Sequence, residues 1–394
     1  MAGYYFRLPA ITQLTIPQQA ALNEPKQIAL SGGPGTGKSV VSLWRHIRNY
    51  QKKPVVPRIA SFLSTYTTTL KVYLTACCKT TRDDDYPNAW LYSSQNVGTS
   101  LKNLNKIQKT NFLEVIIDEA QDLSNDYYTN IASPVSYGAD DSQILYPEHC
   151  SKQSELCNLF PNNVMYVLDK NFRSTQRIMQ FSKYAFPNAN IPISIIQGLD
   201  NNIGEKPVLL ISNRNKYDRT NDNQDSAIEK IINDFRADDH NIAILVPWQS
   251  DVKAFEKVLD KIGLVKEKDY SSYCGDDYSN GQGCGNLLNI HITTFKSAKG
   301  LEFDTVIIPN FHKYYEICGK FNVDWQDYYV ACTRARSNLY LISNNDLPQL
   351  HDVVDCENID NQNKTNNQSF TNNYGNSRGT SNNTITIIND DLPF

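Results

Sequence analysis

The segment Gly32-Gly33-Pro34-Gly35-Thr36-Gly37-Lys38-Ser39 constrains this chain more than any other stretch. A short apolar strand, Gln27 to Leu30, runs into it, and Lys38 to Tyr50 follows with helical spacing at Val40, Val41, Leu43, Trp44 and Ile47. Strand, glycine-rich turn and helix in this order form a phosphate loop. The glycines let backbone N–H groups converge on phosphate oxygens, and the positive end of the helix dipole points at the same place. Lys38 is placed to hold the β- and γ-phosphates and Ser39 to bind Mg²⁺. The pattern names an NTP-binding α/β domain and leaves open what the NTP is used for.

A second stretch, Ile117-Asp118-Glu119-Ala120-Gln121-Asp122, ends the apolar run Val115-Ile116-Ile117. Asp118 thereby falls at the carboxyl end of a strand, where ligands gather in open α/β sheets. It suits a metal ligand acting through the ion's water shell, and Glu119 suits orienting or deprotonating a water. Further buried parallel strands are expected at Ile59 to Leu63 and Val164 to Leu168. A second series follows at Pro207 to Ser212, Ile242 to Pro247, Ile290 to Thr294, Thr305 to Pro309 and Leu339 to Ile342, alternating with helical stretches such as Ser226 to Phe235 and Asp251 to Ile262. This predicts two α/β domains, residues 1–165 and 166–348. After Pro348 the chain becomes rich in Asn, Gln, Ser, Thr and Gly, so residues 349–394 are expected to form a disordered tail.

The 394 residues, 40% of them hydrophobic and 20% charged, suffice for about two ordinary cores. No apolar run reaches the ~20 residues that span a bilayer, and the N-terminus lacks a basic-then-apolar leader; a cytoplasmic protein without membrane contact is expected. The nine cysteines are scattered without paired Cys-x-x-Cys elements, so neither a disulfide framework nor a zinc ribbon is indicated. The net charge of -4 is carried by residues 350–394, where only Lys364 and Arg378 oppose six acids; the neutral remainder is compatible with a basic groove.

From the phosphate loop onward the chain resembles the UvrD/Rep type of superfamily 1 helicases, over most of residues 14–345. Leu14-Thr15-Ile16-Pro17-Gln18-Gln19 is similar to that family's adenine-reading motif, with Gln18 in the reading position. Thr65-Tyr66-Thr67 and Gly98-Thr99-Ser100 resemble its single-stranded-DNA contacts, and Ala139 to Tyr146 the motif whose glutamine, here Gln143, couples the γ-phosphate to the strand. Asn171-Phe172-Arg173-Ser174-Thr175, Thr294 to Phe303 and Val330 to Ala335 match later motifs in the family's order. The resemblance implies two RecA-like domains with ATP and Mg²⁺ between them. Arg173 and Arg334 would stabilise the transition state from the second domain, which makes hydrolysis depend on closure. Gly300 would offer an N–H to phosphate and Glu302 a carboxylate to the ribose side. Tyr66 and Tyr146 suit stacking on bases, Lys296 a phosphate contact, or else the tyrosines are simply packed.

The chain also departs from that pattern. Pro147-Glu148-His149 stands where the family places Gly-Trp-Arg, Lys296 where a histidine is common, and Ala139 where a glycine is. About twenty residues separate Thr99 from Asp118, and the interval from Arg173 to Thr294 is filled by the second sheet, so a motor without accessory insertions is expected. The expected activity is a single-stranded-DNA-stimulated ATPase and 3′→5′ translocase or helicase, oligomerising or recruiting a partner to unwind. Repair, recombination, mobile-element replication and anti-phage defence all remain open as its setting. An ATP-gated nucleic-acid sensor that signals through the tail, or an RNA motor, are the alternatives. The end Asp390-Asp391-Leu392-Pro393-Phe394 resembles the acidic tip of bacterial single-stranded-DNA-binding proteins. A terminal ring and carboxylate beside aspartates suit an apolar pocket with a basic rim; a solubilising end, or an occupant of the protein's own groove, are the other readings.

Overall fold

The computed structural model describes residues 3–51, 59–81, 88–212, 222–275 and 285–359. Two six- and seven-stranded sheets, each parallel throughout, form two lobes. In the first, β1 (Ile28–Ser31), β2 (Phe62–Thr65), β3 (Val97–Thr99), β4 (Val115–Ile117), β5 (Val135–Ala139) and β6 (Val164–Val167) take the order β3-β2-β4-β5-β1-β6. β1 lies between β5 and β6 and β4 lies beside β5, so the carboxyl ends of β1, β4 and β5 open onto one rim. Helices α1 (Ile16–Asn23), α2 (Lys38–Gln51) and α3 (Thr68–Thr80) flank this sheet. α1 begins with a capping box, Thr15 accepting from the Gln18 N–H while the Gln18 amide oxygen accepts from the Thr15 N–H at 2.9 Å.

The second sheet contains β7 (Val208–Ile211), β8 (Ile242–Val246), β9 (Ser271–Tyr273), β10 (Ile290–Thr294), β11 (Phe303–Ile308), β12 (Ala335–Ser343) and β13 (Asp355–Asn358). Their order is β13-β7-β12-β11-β8-β10-β9. β8, β10 and β11 are buried along their whole length, which explains why they read as continuous Val, Ile and Thr runs without alternation. The arrangement is that of two RecA-like domains. No helix among the described residues is long and apolar enough to cross a membrane.

The lobes share a core. One buried cluster runs from Leu43, Leu70 and Leu74 through Tyr4 and Phe303 to Phe181 and Tyr328. Gly300, at φ +83°, packs so closely on this cluster that a Cβ there would lie 2.5 Å from Leu70 Cδ2. Each large apolar side chain buried at this junction contributes roughly 1.5–3 kcal/mol.

Both expected domain limits shift. β6 pairs with β1 up to Val167, so the first sheet continues past residue 165. The chain then crosses over between Asn171 and Ser174: Phe172 N–H still bonds the Gly35 carbonyl at 2.9 Å, whereas the Ser174 hydroxyl already donates to the Ala335 carbonyl. The second lobe also extends beyond Pro348, because β13 adds to β7 and Leu350 and Val354 are buried. All four β13 side chains are exposed, so main-chain pairing holds the strand and no apolar pattern announces it. The rest of the expected tail, from residue 360 and including the Asp390 to Phe394 tip, lies outside the described residues.

Candidate active site

β1 ends at Ser31, the glycine-rich turn follows, and α2 starts at Lys38. Lys38 Nζ donates to the carbonyls of Gly32 at 2.6 Å and Gly33 at 2.9 Å, and lies 3.6 Å from Asp140. The Thr36 hydroxyl closes the loop onto the Gly33 carbonyl. Behind the loop stands the crossover: the Asn171 amide donates to the Pro34 carbonyl at 2.9 Å while its oxygen accepts from the Arg173 and Ser174 N–H groups. Gly35, at φ +73°, backs onto this asparagine, and a Cβ there would come within 2.8 Å of both Asn171 and Arg173.

Asp118 follows β4 and is buried, and its two carboxylate oxygens make no hydrogen bond of ordinary geometry. Burial, then the adjacent Glu119 charge, raise its pKa, opposed by the Ser39 hydroxyl and the ammonium groups of Lys38 and Lys299. An orphaned carboxylate beside a serine hydroxyl at a helix start supplies hard oxygen donors, the set a divalent cation such as Mg²⁺ takes. Glu119 adopts the left-handed conformation, φ 58° and ψ 45°, a strain of about 1–3 kcal/mol for a non-glycine residue. Burial alone would raise its pKa, but Lys299, Lys38 and the Gln121 amide, which donates to it at 2.7 Å, outweigh burial and hold it below the usual carboxylate range.

The opposite wall comes from the second lobe. Arg334 is buried, donating from Nη2 to the Gln143 amide oxygen at 2.6 Å and from Nε to the Val330 carbonyl at 3.0 Å. Burial and the neighbouring Arg173 lower its pKa to about 9, which leaves it charged at neutral pH. Gln143 donates in turn to Asp140, so a hydrogen-bonded path joins Arg334 to the carboxylate beside Lys38. Arg173 Nε reaches Glu302 at 3.3 Å, and Arg336 holds the other Glu302 oxygen at 2.8 Å.

A cleft of about 560 Å³ is lined by Gln18, Pro34 to Ser39, Glu119, Gln143, Phe172, Arg173, Gly300, Glu302, Arg334 and Arg336. The expected nucleotide residues therefore meet in one place, with Gly32, Gly33 and Asp118 just outside its lining. Gln18 is buried there, its oxygen held by Thr15 and its amide nitrogen donating to the Thr36 carbonyl at 2.9 Å. Tyr66, Tyr146 and Lys296 also come together: the rings lie 4.8 Å apart, and Lys296 Nζ lies 4.9 Å from the Tyr146 ring centre. Thr99 does not join them; it is buried on β3, paired with Thr65.

Sequence reasoning missed Lys299. It is 1% exposed, donates to Asp122 at 2.7 Å and to the Gln143 carbonyl, and lies 3.5 Å from Glu119. A second-lobe cation thus sits inside the first lobe's acidic cluster. The signal was its place between Ala298 and Gly300, in a stretch read for Lys296, Gly300 and Glu302. Asp140 and Asn171 were missed for the same reason, being embedded in motifs valued for other residues, and Arg336 follows directly on the motif that ends at Ala335.

Residues 279–346 match the model of the UvrD-like helicase C-terminal domain. A candidate ATP-dependent DNA helicase of Acanthamoeba polyphaga mimivirus is 28% identical over 262 residues, covering 60% of this chain and 35% of the relative. The chain thus spans about a third of the length of that relative. Among solved structures, the C-terminal domain of a possible DNA helicase from Lactobacillus plantarum WCFS1 aligns with 47% of this chain and 98% of its own, at 23% identity and a TM-score of 0.31. Part of the second lobe, residues 279–346, is thus similar to the UvrD-like helicase C-terminal domain, and the Lys299 to Glu302 turn and Arg334 fall inside the matched residues.

Proposed function

We propose that this chain is an ATP-hydrolysing motor that moves along single-stranded DNA with 3′→5′ polarity, a helicase core whose fuel binds between the lobes. The observation that carries the reading is that Arg173, on the crossover, and Arg334, from the second lobe, line the same cleft as Lys38. Lys38 and the loop N–H groups would hold the β- and γ-phosphates. Ser39 and Asp118 would hold Mg²⁺, which neutralises phosphate charge when bound. Glu119, kept ionised by Lys299, would take the proton of the attacking water. Arg334 and Arg173 would meet the charge that develops on the γ-phosphate, and the Gln143 link to Arg334 would transmit its loss. Phe172, which lines the cleft, would stack on the base and Gln18 read its edge once released from Thr36, while Glu302 would face the ribose.

Opening and closing would alternate the grip of the two lobes on a strand laid over Tyr66 and Tyr146, with Lys296 contacting phosphate. The Asp390 to Phe394 tip would recruit proteins that recognise single-stranded-DNA-binding-protein tails, and unwinding would need a partner or a second copy. Two measurements test the motor. Single-stranded DNA should stimulate ATP hydrolysis, and Arg334→Ala should lower kcat roughly a hundred- to a thousandfold with little change in ATP affinity. On biotinylated single strands the protein should strip streptavidin from one end only; ATP-dependent binding without stripping would instead favour a sensor.

A further inference from the structure

We propose that residues 3–9 are a strap across the nucleotide cleft whose Tyr4 hydroxyl positions Glu302 and, through it, the Arg173 guanidinium. This deepens the ATPase reading and rests on it.

The strap precedes the first lobe in sequence, yet Gly3, Tyr4, Tyr5 and the Arg7 side chain bond to the second. Gly3 bridges Leu288, Tyr4 N–H donates to the Leu287 carbonyl at 3.0 Å, and Tyr5 exchanges two hydrogen bonds, at 2.8 and 2.9 Å, with the Asn241 side chain. Arg7 pairs with Asp304 at 2.8 Å. From the other side, Trp44 on α2 donates to the Pro9 carbonyl at 2.8 Å and Tyr73 on α3 to the Arg7 carbonyl at 3.3 Å. The segment is therefore tied to both lobes, and Tyr5 to Pro9 form part of the cleft wall.

Tyr4 is 3% exposed, its ring packed against Phe6, Tyr73 and Phe303. Packing alone would be served by phenylalanine. The hydroxyl, however, donates to the Glu302 carbonyl and accepts from the Glu302 N–H, clasping one residue's backbone from both sides. Burial raises the phenol pKa, so the group stays a donor at any ordinary pH. The side chain of that same residue bridges Arg173 and Arg336. A shift of the Glu302 backbone is thus handed directly to a guanidinium that must meet the γ-phosphate, where small misplacements are costly.

The test uses the full chain. Tyr4→Phe keeps the ring and removes the clasp. It should lower kcat roughly ten- to a hundredfold while leaving KM for ATP and the affinity for a non-hydrolysed ATP analogue unchanged. Because Tyr4 acts through Glu302 on Arg173, adding Arg173→Lys should cost little beyond the larger single effect. Fully multiplicative losses, or an unaltered kcat in Tyr4→Phe, would overturn the proposal. A fall in analogue affinity that tracks a lowered melting temperature would reduce Tyr4 to a packing residue. Turnover that survives Lys38→Ala in the same assay would instead remove the ATPase reading itself, a separate result.

Discussion

Around the proposed nucleotide cleft the lobes meet through buried charges with fixed partners, Lys299 with Asp122 and Arg334 with Gln143, whereas near Tyr66, Tyr146 and Lys296 they meet through half-buried rings and an ammonium group. The difference follows from what each seam would handle. A γ-phosphate presents one geometry, and charge developing on it is best met by dipoles and cations already in place in a water-poor site. A nucleic-acid strand presents a changing sequence, and ring faces accept any base. Two segments serve both seams through different side chains, Gln143 and Lys299 on the charged one and Tyr146 and Lys296 on the aromatic one.

Mutations can break this contrast in graded steps. The largest effect is expected at Lys38: its alanine variant should show no ATP turnover above background in a coupled assay, while Glu119→Gln should also stop turnover but keep nucleotide bound through gel filtration. Removing the Lys299 charge comes next. Lys299→Met strands Asp122 and Glu119 in the interior, so chemical denaturation should show a loss of about 3–5 kcal/mol; a loss confined to a few tenths would mean that the fixed seam is not fixed by charge.

Acid should act on both lobes and on the charged seam as well, because burial raises the Asp122 pKa to about 6. His46 in the first lobe and His291 in the second are each pushed by burial down to about 4. A histidine depressed in the fold is neutral there, so its stabilisation is complete above its unfolded pKa of ~6.5 and drains away as pH falls through 6.5 toward 4. Melting temperature should therefore drop across that window, and less steeply in a His46→Gln variant. On the adaptable seam, Tyr146→Ala should weaken single-stranded DNA binding by about 1–3 kcal/mol for any base composition. The smallest effect is expected for Lys296→Ala, which should reduce the slope of log affinity against log salt by about one unit.

The fold was legible where one residue type carries one message. The apolar runs Val115 to Ile117 and Ile242 to Val246 emerged as β4 and β8 nearly to the residue, and the glycine-rich turn located α2. β5 escaped notice because Val-Ser-Tyr-Gly-Ala mixes small and polar residues, although all five are buried. Lys299 was illegible for the opposite reason. A lysine in sequence reads as solvated, and its carboxylate partner Asp122 lies 177 positions away. Gln18, Arg173 and Arg334, picked out by motif order, line the cleft, whereas the buried position of Thr99 could not be read from a motif that says nothing about exposure.

Asn171 gives the molecule a mechanical property. Its side chain grips the phosphate-loop carbonyl of Pro34 with one atom and the start of the crossover with the other. The axle about which the lobes would swing is thus bolted to the rim of the fuel chamber, with no slack segment in between. A shift of the loop would load this pivot as well as β1, which runs straight into the loop, so a nucleotide would steer the swing by touching its bearing.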